Sequence, residues 1–225
     1  MTPEVHEFVQ ALWITFRLAL VTTALLLLIA IPLAQWLNQS RVPGIWILEA
    51  LFSLPIVLPP TVIGFYLLVL MSPQHGFGHW WLQHFGHSLT FSFSGLVIGS
   101  LLYSFPFALR PLQVAFLSVN RDYVEASLAL GATLRQTFWQ VVLPAARHGV
   151  ISAAALVFAH TIGEFGVVLM IGGNIPGETR VASVALYDAV QRMDYGTAHA
   201  YAIVLWIISV VLLSFIYRQQ RKVLM

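Results

Sequence analysis

The chain alternates long apolar runs with short polar interruptions, and the lengths of the runs set the first expectation. Continuous apolar stretches cover about Leu12 to Leu37, Leu51 to Met71, Leu89 to Leu109, Val150 to Ile171 and Thr197 to Tyr217. Each approaches or exceeds the roughly twenty residues a helix needs to cross the hydrocarbon core. The pattern predicts an all-α, polytopic membrane bundle of about five transmembrane helices, residues 1–225 forming one domain. Arg17 and Pro32 interrupt the first run, Pro55, Pro59 and Pro60 the second, and Pro106 the third. A proline removes an amide donor and kinks a helix. In a bilayer this is tolerated where neighbouring groups or a wet cavity satisfy the freed carbonyls. The polar interruptions are NQSRVPG, the histidine- and aromatic-rich HGFGHWWLQHFGH, the polar turn GGNIPGETR and the amphipathic VASVALYDAVQRM.

Only Asp122 to Pro144, DYVEASLALGATLRQTFWQVVLP, reads neither as lipid-facing nor as a short turn. Asn120 is placed to cap a helix that has Asp122 and Glu125 near its start, where carboxylates complement the helix dipole. Gly131 reads as the stop. Thr133 with Gln136 reads as a capping box opening a second short helix, with Pro144 near its end. A helix, a glycine break and a second helix between two spans make a folded platform over residues 120–146, suited to docking another polypeptide.

Composition and charge then narrow the class. The chain is 59% hydrophobic and 9% charged, against about 25% charged in a soluble domain. It has no cysteine, which excludes disulfides, thiolate metal sites and cysteine nucleophiles, and its net charge of +2 argues against nucleic acid as a partner. The acidic start MTPEVHEFVQ lacks the basic region of a cleavable signal, so the first run is expected to be a retained span. Lysine and arginine gather on the cytoplasmic side of membrane proteins. Placing the platform there puts Arg41, Arg110, Arg121, Arg135, Arg147, Arg218, Arg221 and Lys222 inside, leaving Arg180 and Arg192 in outer loops. The N-terminus is then outside and the C-terminus cytoplasmic. No Gly-rich phosphate loop is present, so this chain is expected to bind no ATP itself.

The spacing Glu125-Ala126-Ser127, then Gly131, Val141 and Leu143-Pro144 resembles the EAA loop of bacterial ABC-importer permeases, with Ser127 for the second alanine and Val141 for isoleucine. SLPIVLPPTVIGFYLLVL and HTIGEFGVVLMIGGNIPGETR further resemble permeases of the molybdate and sulfate importer family, closer to the molybdate branch. His160 stands where that family usually has arginine. The resemblance implies that Glu125, Ala126, Ser127, Gly131, Val141, Leu143 and Pro144 form the coupling surface for an ATPase. It implies a homodimer with a second copy of this chain, two ATPase subunits holding ATP and Mg below, and an oxyanion-binding protein outside the bacterial cytoplasmic membrane. The resemblance further implies that molybdate moves by alternating access, with no covalent chemistry and no cofactor on this chain. Sulfate and tungstate are alternatives of the same shape and charge. A gradient-driven transporter or channel, marked by inverted repeats and discontinuous helices, is a rival class, and a membrane metalloenzyme a third.

Within the spans, backbone irregularity selects Pro59, Pro60, Thr61, Gly163, Glu164 and Gly166 as the candidate pathway and gate. Glu164 is an intramembrane carboxylate, a costly feature whose first reading is functional, although a bare carboxylate would repel a dianion. Arg17 and Glu164 each lie roughly 10 Å from the outer ends of their spans at 1.5 Å per residue, which suggests a neutralising pair within or between subunits. Asn174, Thr179 and Arg180 are candidates to meet the binding protein. His75, His79, His84 and His87 are spaced for shared helix faces but lack a carboxylate or cysteine partner. They are read as part of an interfacial aromatic helix with Trp80, Trp81 and Phe85, not as a metal site. Arg110 is read as a snorkelling anchor.

Overall fold

In the computed structural model, which describes residues 3–74 and 76–224 of the chain, α1 spans Pro3–Gln39 and passes through both Arg17 and Pro32 without a break. Then come α2 (Ile45–Val57), α3 (Pro60–Leu70), α4 (Gly76–Phe85) and α5 (Phe93–Leu117), the last carrying Pro106 and Pro111. The platform holds α6 (Arg121–Ala129), α7 (Leu134–Thr137), a π-helical turn Phe138–Val142, and α8 (Leu143–Ala145). α9 (Arg147–Ile162), α10 (Gly166–Gly172), α11 (Ala182–Gln191) and α12 (Tyr195–Leu224) complete the chain.

Among the described residues, α1, α5 and α12 each suffice by length and apolar character to cross a membrane, and bent helix pairs raise the total to as many as five. One pair is α2 with α3, bent by 110°. The cause is local: Leu58 is extended (φ −73°, ψ 138°), as a residue before proline prefers, and Pro59 with Pro60 restarts the chain as a new helix. The expected single second span is therefore two helices. The expected fourth span is also not continuous, since α9 ends at Ile162, Gly163–Phe165 break the helix, and α10 resumes at Gly166. Upstream, the segment Leu134–Ala145 meets α9 at 73°, so the platform leads directly into that helix.

α5 lies at the centre, packed chiefly on α1 and α9. Leu26, Ala30 and Ala34 of α1, Ala108, Leu109 and Leu112 of α5, and Ala153 and Val157 of α9 form the largest buried cluster. Small residues bring the backbones together, as membrane bundles favour: a Cβ built on Gly149 would collide with Ala115 of α5. A second cluster joins Leu67 and Met71 to Leu89 of the α4–α5 connection and to Val167 and Ile171 of α10. α12 leaves Ile203, Trp206, Ile207, Val210 and Val211 exposed, which suits a lipid-facing helix.

The platform follows its sequence punctuation. Asn120 Oδ1 accepts from Asp122 N at 2.9 Å, Gly131 takes the left-handed conformation (φ +88°), and Thr133 and Gln136 form the reciprocal capping box. Ser127 Oγ meets Thr137 Oγ1 at 3.0 Å, and Phe138 packs edge-on to Phe116 of α5, so the platform is fastened to the bundle.

Candidate functional site

The two interrupted spans meet. Pro60 and Thr61 open α3 beside the Gly163–Phe165 break, and a Cβ built on Gly166 would lie 2.8 Å from Pro60 Cβ. Further along, a Cβ on Gly64 would lie 2.8 Å from Met170 Cβ and 3.2 Å from Val167 Cα, so α3 and α10 touch almost backbone to backbone. Beside this junction lies a cavity of about 470 Å³ lined by Pro60, Thr61, Tyr103, His160, Glu164 and Gly166, with Ala159, Gly163 and Phe165. Five of the six candidate pathway residues thus line one space. Pro59 is the N-cap of α3 and stands just outside it.

Glu164 is 3% exposed. Its Oε2 accepts from Ser100 Oγ at 2.5 Å, and its backbone carbonyl accepts from Ser183 Oγ of α11 at 2.5 Å. Its Oε1 is buried and has no hydrogen-bond donor. The suggested pairing with Arg17 does not form within the chain. The Arg17 guanidinium lies instead over the Phe93 ring, 4.3 Å from its centroid, on an exposed face of α1. Arg17 thus sits at Phe93, the first residue of α5, whereas Glu164 bonds Ser100, further along that helix.

One turn earlier, His160 Nδ1 is 2.9 Å from Ser104 Oγ, which also meets Thr161 Oγ1 at 3.2 Å. The imidazole stacks on Phe107 with centroids 3.9 Å apart. Ser100 and Ser104, four apart on α5, thus face Glu164 and His160, four apart on the chain, as two rungs of a polar ladder inside an apolar bundle. Ser100, Ser104, Tyr103 and Ser183 were not singled out from the sequence. The available signal was the i, i+4 serine pair on one face of an apolar helix.

The coupling candidates divide by exposure. Glu125, Ala126, Gly131 and Pro144 are exposed, Ser127 and Val141 are half-buried, and Leu143 packs on the central cluster. Leu130, beside Gly131, is 89% exposed, and Tyr123, Leu134 and Trp139 are also open. This is an apolar surface on a polar-capped platform.

On the opposite side, Arg180 bonds Asn174 Oδ1 at 2.7 Å and Glu7 at 3.2 Å, and reaches Asp188 at 3.9 Å. Thr179 is buried, donating to Gly172 O at 2.6 Å and accepting from Ile175 N at 3.0 Å. It closes its own turn, so the expectation that it contacts a binding protein is corrected: Pro176, Gly177 and Glu178 form the exposed tip. Trp80, Trp81 and Phe85 lie on α4, which forms despite Gly78, with Trp81 stacked on Phe85 at 4.1 Å. His79 and His84 turn to Pro73 O and Trp80 O, and His87 to Phe85 O, while His75 lies outside the described residues. Arg110 does not simply snorkel. It bonds Ser53 Oγ at 3.0 Å and Gln113 Oε1 at 3.2 Å and pairs with Glu49 at 3.7 Å, tying α5 to α2.

Comparison with known proteins places the chain in a family. Residues 26–225 match the family described as binding-protein-dependent transport system inner membrane component. The chain belongs to that family. This inner membrane component is 46% identical over 212 residues to the molybdenum transport system permease protein ModB of Azotobacter vinelandii, covering 94% of this chain and 93% of the relative. It is 34% identical over 207 residues to the sulfate transport system permease protein CysT of Escherichia coli K12, covering 92% and 74% respectively. Among solved structures, the fold is shared with a bacterial alginate ABC transporter (TM-score 0.76, 19% identity, 96% of this chain and 79% of that one). It is shared also with the MetNI methionine ABC transporter in an inward-facing form (TM-score 0.75, 19% identity, 99% of both chains). The resemblance drawn from the EAA-like loop and the GEFG segment is borne out at the level of family. The chain is a multi-pass permease component, not an enzyme.

Proposed function

We propose that this chain is the membrane-spanning subunit of an ATP-driven importer for a tetrahedral oxyanion, with molybdate as the cargo. The observation that carries the cargo is the 46% identity to a molybdenum permease along almost the whole of both chains. The lower identity to a sulfate permease that is itself longer supports sulfate as the second reading. Two copies of the chain enclose the pathway, two ATPase subunits dock on Glu125 to Pro144, and a binding protein delivers the anion from outside. The basic residues around the platform support a cytoplasmic placement, with the N-terminus outside and the C-terminus inside.

The geometry suggests how docking is transmitted. The platform is capped at both helix starts and fastened to α5, so it resists internal flexing. It continues through the 73° bend into α9, whose far end carries His160 and Glu164 at the cavity. Tilting the platform therefore moves the cavity wall. α3 and α10 abut through Gly64 and Gly166 and shift together. Closure of the ATPase pair pushes the two platforms together and opens the cavity outward, and hydrolysis returns it.

The test is molybdenum uptake by cells deleted for the gene, supplied with trace molybdate with and without excess sulfate. Restoration by the wild-type gene, but not by genes altered at Glu125 and Gly131, supports cargo and coupling surface together. Loss of sulfate uptake with unchanged molybdenum would move the cargo to sulfate.

A further inference from the structure

We propose that Glu164 and the cavity beside it form a site for one monovalent cation, a proton or an alkali ion, filled as the oxyanion passes. The proposal deepens the reading of this chain as an oxyanion permease and rests on it for the role of the cation, though not for its binding.

Glu164 has every polar atom but one accounted for. Ser100 serves Oε2, Ser183 serves the carbonyl, and the backbone N–H donates to Thr161 O at 3.3 Å. Oε1 has no donor although it is buried at membrane depth. A buried acceptor without a partner is costly, and an uncompensated carboxylate inside a bilayer more so. The groups that could compensate it are those at the cavity and around the Gly163–Phe165 break. α5 offers Tyr103 and Ser104, α9 offers His160, α11 offers Ser183 and Tyr187, α3 offers only Thr61, and α10 carries no ionisable side chain. No arginine or lysine is among them, and Arg17, the nearest expectation, is committed to Phe93. The partner of Oε1 therefore comes from outside this chain.

The dipoles at the cavity indicate its sign. α9, sixteen residues long, ends at Ile162 beside Glu164, and the negative end of a helix favours a cation. α3 begins at Pro60 beside the same break, and its positive end favours an anion. Discontinuous membrane helices use their two kinds of ends in this way, N-termini toward anions and C-termini with unwound carbonyls toward Na⁺ or H⁺. The cargo is acceptor-only and would be repelled by an ionised Glu164. A bound cation removes the repulsion while the anion is present.

Two measurements test this. The first needs no cargo: thermal unfolding of the purified complex, titrated with NaCl at constant ionic strength and with pH, for wild type and Glu164→Gln. The amide keeps an oxygen for Ser100 and replaces Oε1 with an NH2 group that can neither coordinate an alkali ion nor take a proton, so the site is removed. Wild type is expected to gain about 5 °C at a hundredfold excess over half-saturation in one of the two titrations. The difference from the variant isolates this site, and the arm that responds distinguishes alkali ion from proton. Equal responses in both proteins overturn the proposal. Should the variant fail to assemble, Ser100→Ala frees the second oxygen and is expected to shift the half-saturation point, and an unshifted point overturns the proposal. The second measurement is molybdate uptake by the reconstituted complex, expected to change about fivefold or more with the same cation in wild type. Uptake that proceeds but ignores both cations overturns the claim that the site fills as the oxyanion passes, while leaving the importer reading intact. Failure to move any oxyanion would instead defeat that reading, with the unfolding titration still deciding the cation site.

Discussion

Replacing Gly64 or Gly166 by alanine should loosen the contact between α3 and α10 on which the proposed pathway depends. A Cβ at Gly64 lies 2.8 Å from Met170 Cβ, and one at Gly166 lies 2.8 Å from Pro60 Cβ. Carbon pairs rest at about 3.5–4.0 Å, so each falls short by about 0.7 Å or more. Neither obstructing atom can rotate away, because a Cβ and a proline ring move only with their backbones. Overpacking of this kind costs about 1–3 kcal/mol. For a chain of 225 residues that corresponds to roughly 2–10 °C in melting temperature. Two readouts are informative: melting of the detergent-purified complex, and molybdate uptake normalised to membrane abundance. Both substitutions should lower the melting point by a few degrees, and uptake should fall by more than abundance does. The control is Gly163→Ala, whose Cβ would meet only carbonyl oxygens at 3.8 and 3.9 Å. If Gly64→Ala and Gly166→Ala melt within a degree of wild type and transport normally, the two half-spans do not move as one body and the reasoning fails.

Further outcomes are expected at the platform. Asn120→Ala and Thr133→Ala each remove a helix cap, costing about 1 kcal/mol, and should reduce recovery of the ATPase with the permease when the two are purified through a tag. Gly131→Ala places a Cβ in open space but at φ +88°, so it should cost about 1–2 kcal/mol through backbone strain alone, read as a melting shift. Leu130→Asp changes an exposed side chain and should leave folding intact while weakening ATPase association by about tenfold or more, read by titration in membranes. Unchanged association there would move the docking surface off the α6–α7 corner.

Local chemistry made the platform legible. Asn120, Gly131 and the Thr133–Gln136 box act within four residues of themselves, so the sequence contains their whole geometry. The apolar runs disclosed the spans for the same reason. Pro55, Pro59 and Pro60 indicated a kink, but the seat that α3 then takes against α10 through Gly64 and Gly166 joins residues about a hundred positions apart and could not be read from either segment alone. Glu164 was visible as an exception, yet its partners Ser100 and Ser183 lie on other helices, and only azimuth around α5 and α11 selects them. The Arg17 pairing within one chain fails because the guanidinium goes to Phe93 instead. Thr179 reads as an exposed turn residue by composition and is buried because its hydroxyl closes the turn that contains it.

The absence of cysteine permits a direct test of the central claim, that the meeting of the two broken spans is the pathway. Single cysteines at Thr61 and Gly163, with Ile207 of α12 as the lipid-facing control, would be challenged with a membrane-impermeant thiol reagent. The reagent would be applied to the assembled transporter with and without a non-hydrolysable ATP analogue and molybdate. The account predicts that the two pathway positions react, that nucleotide changes their rates, that molybdate slows them, and that position 207 stays inert. Pathway positions as unreactive as position 207 in every condition would contradict it.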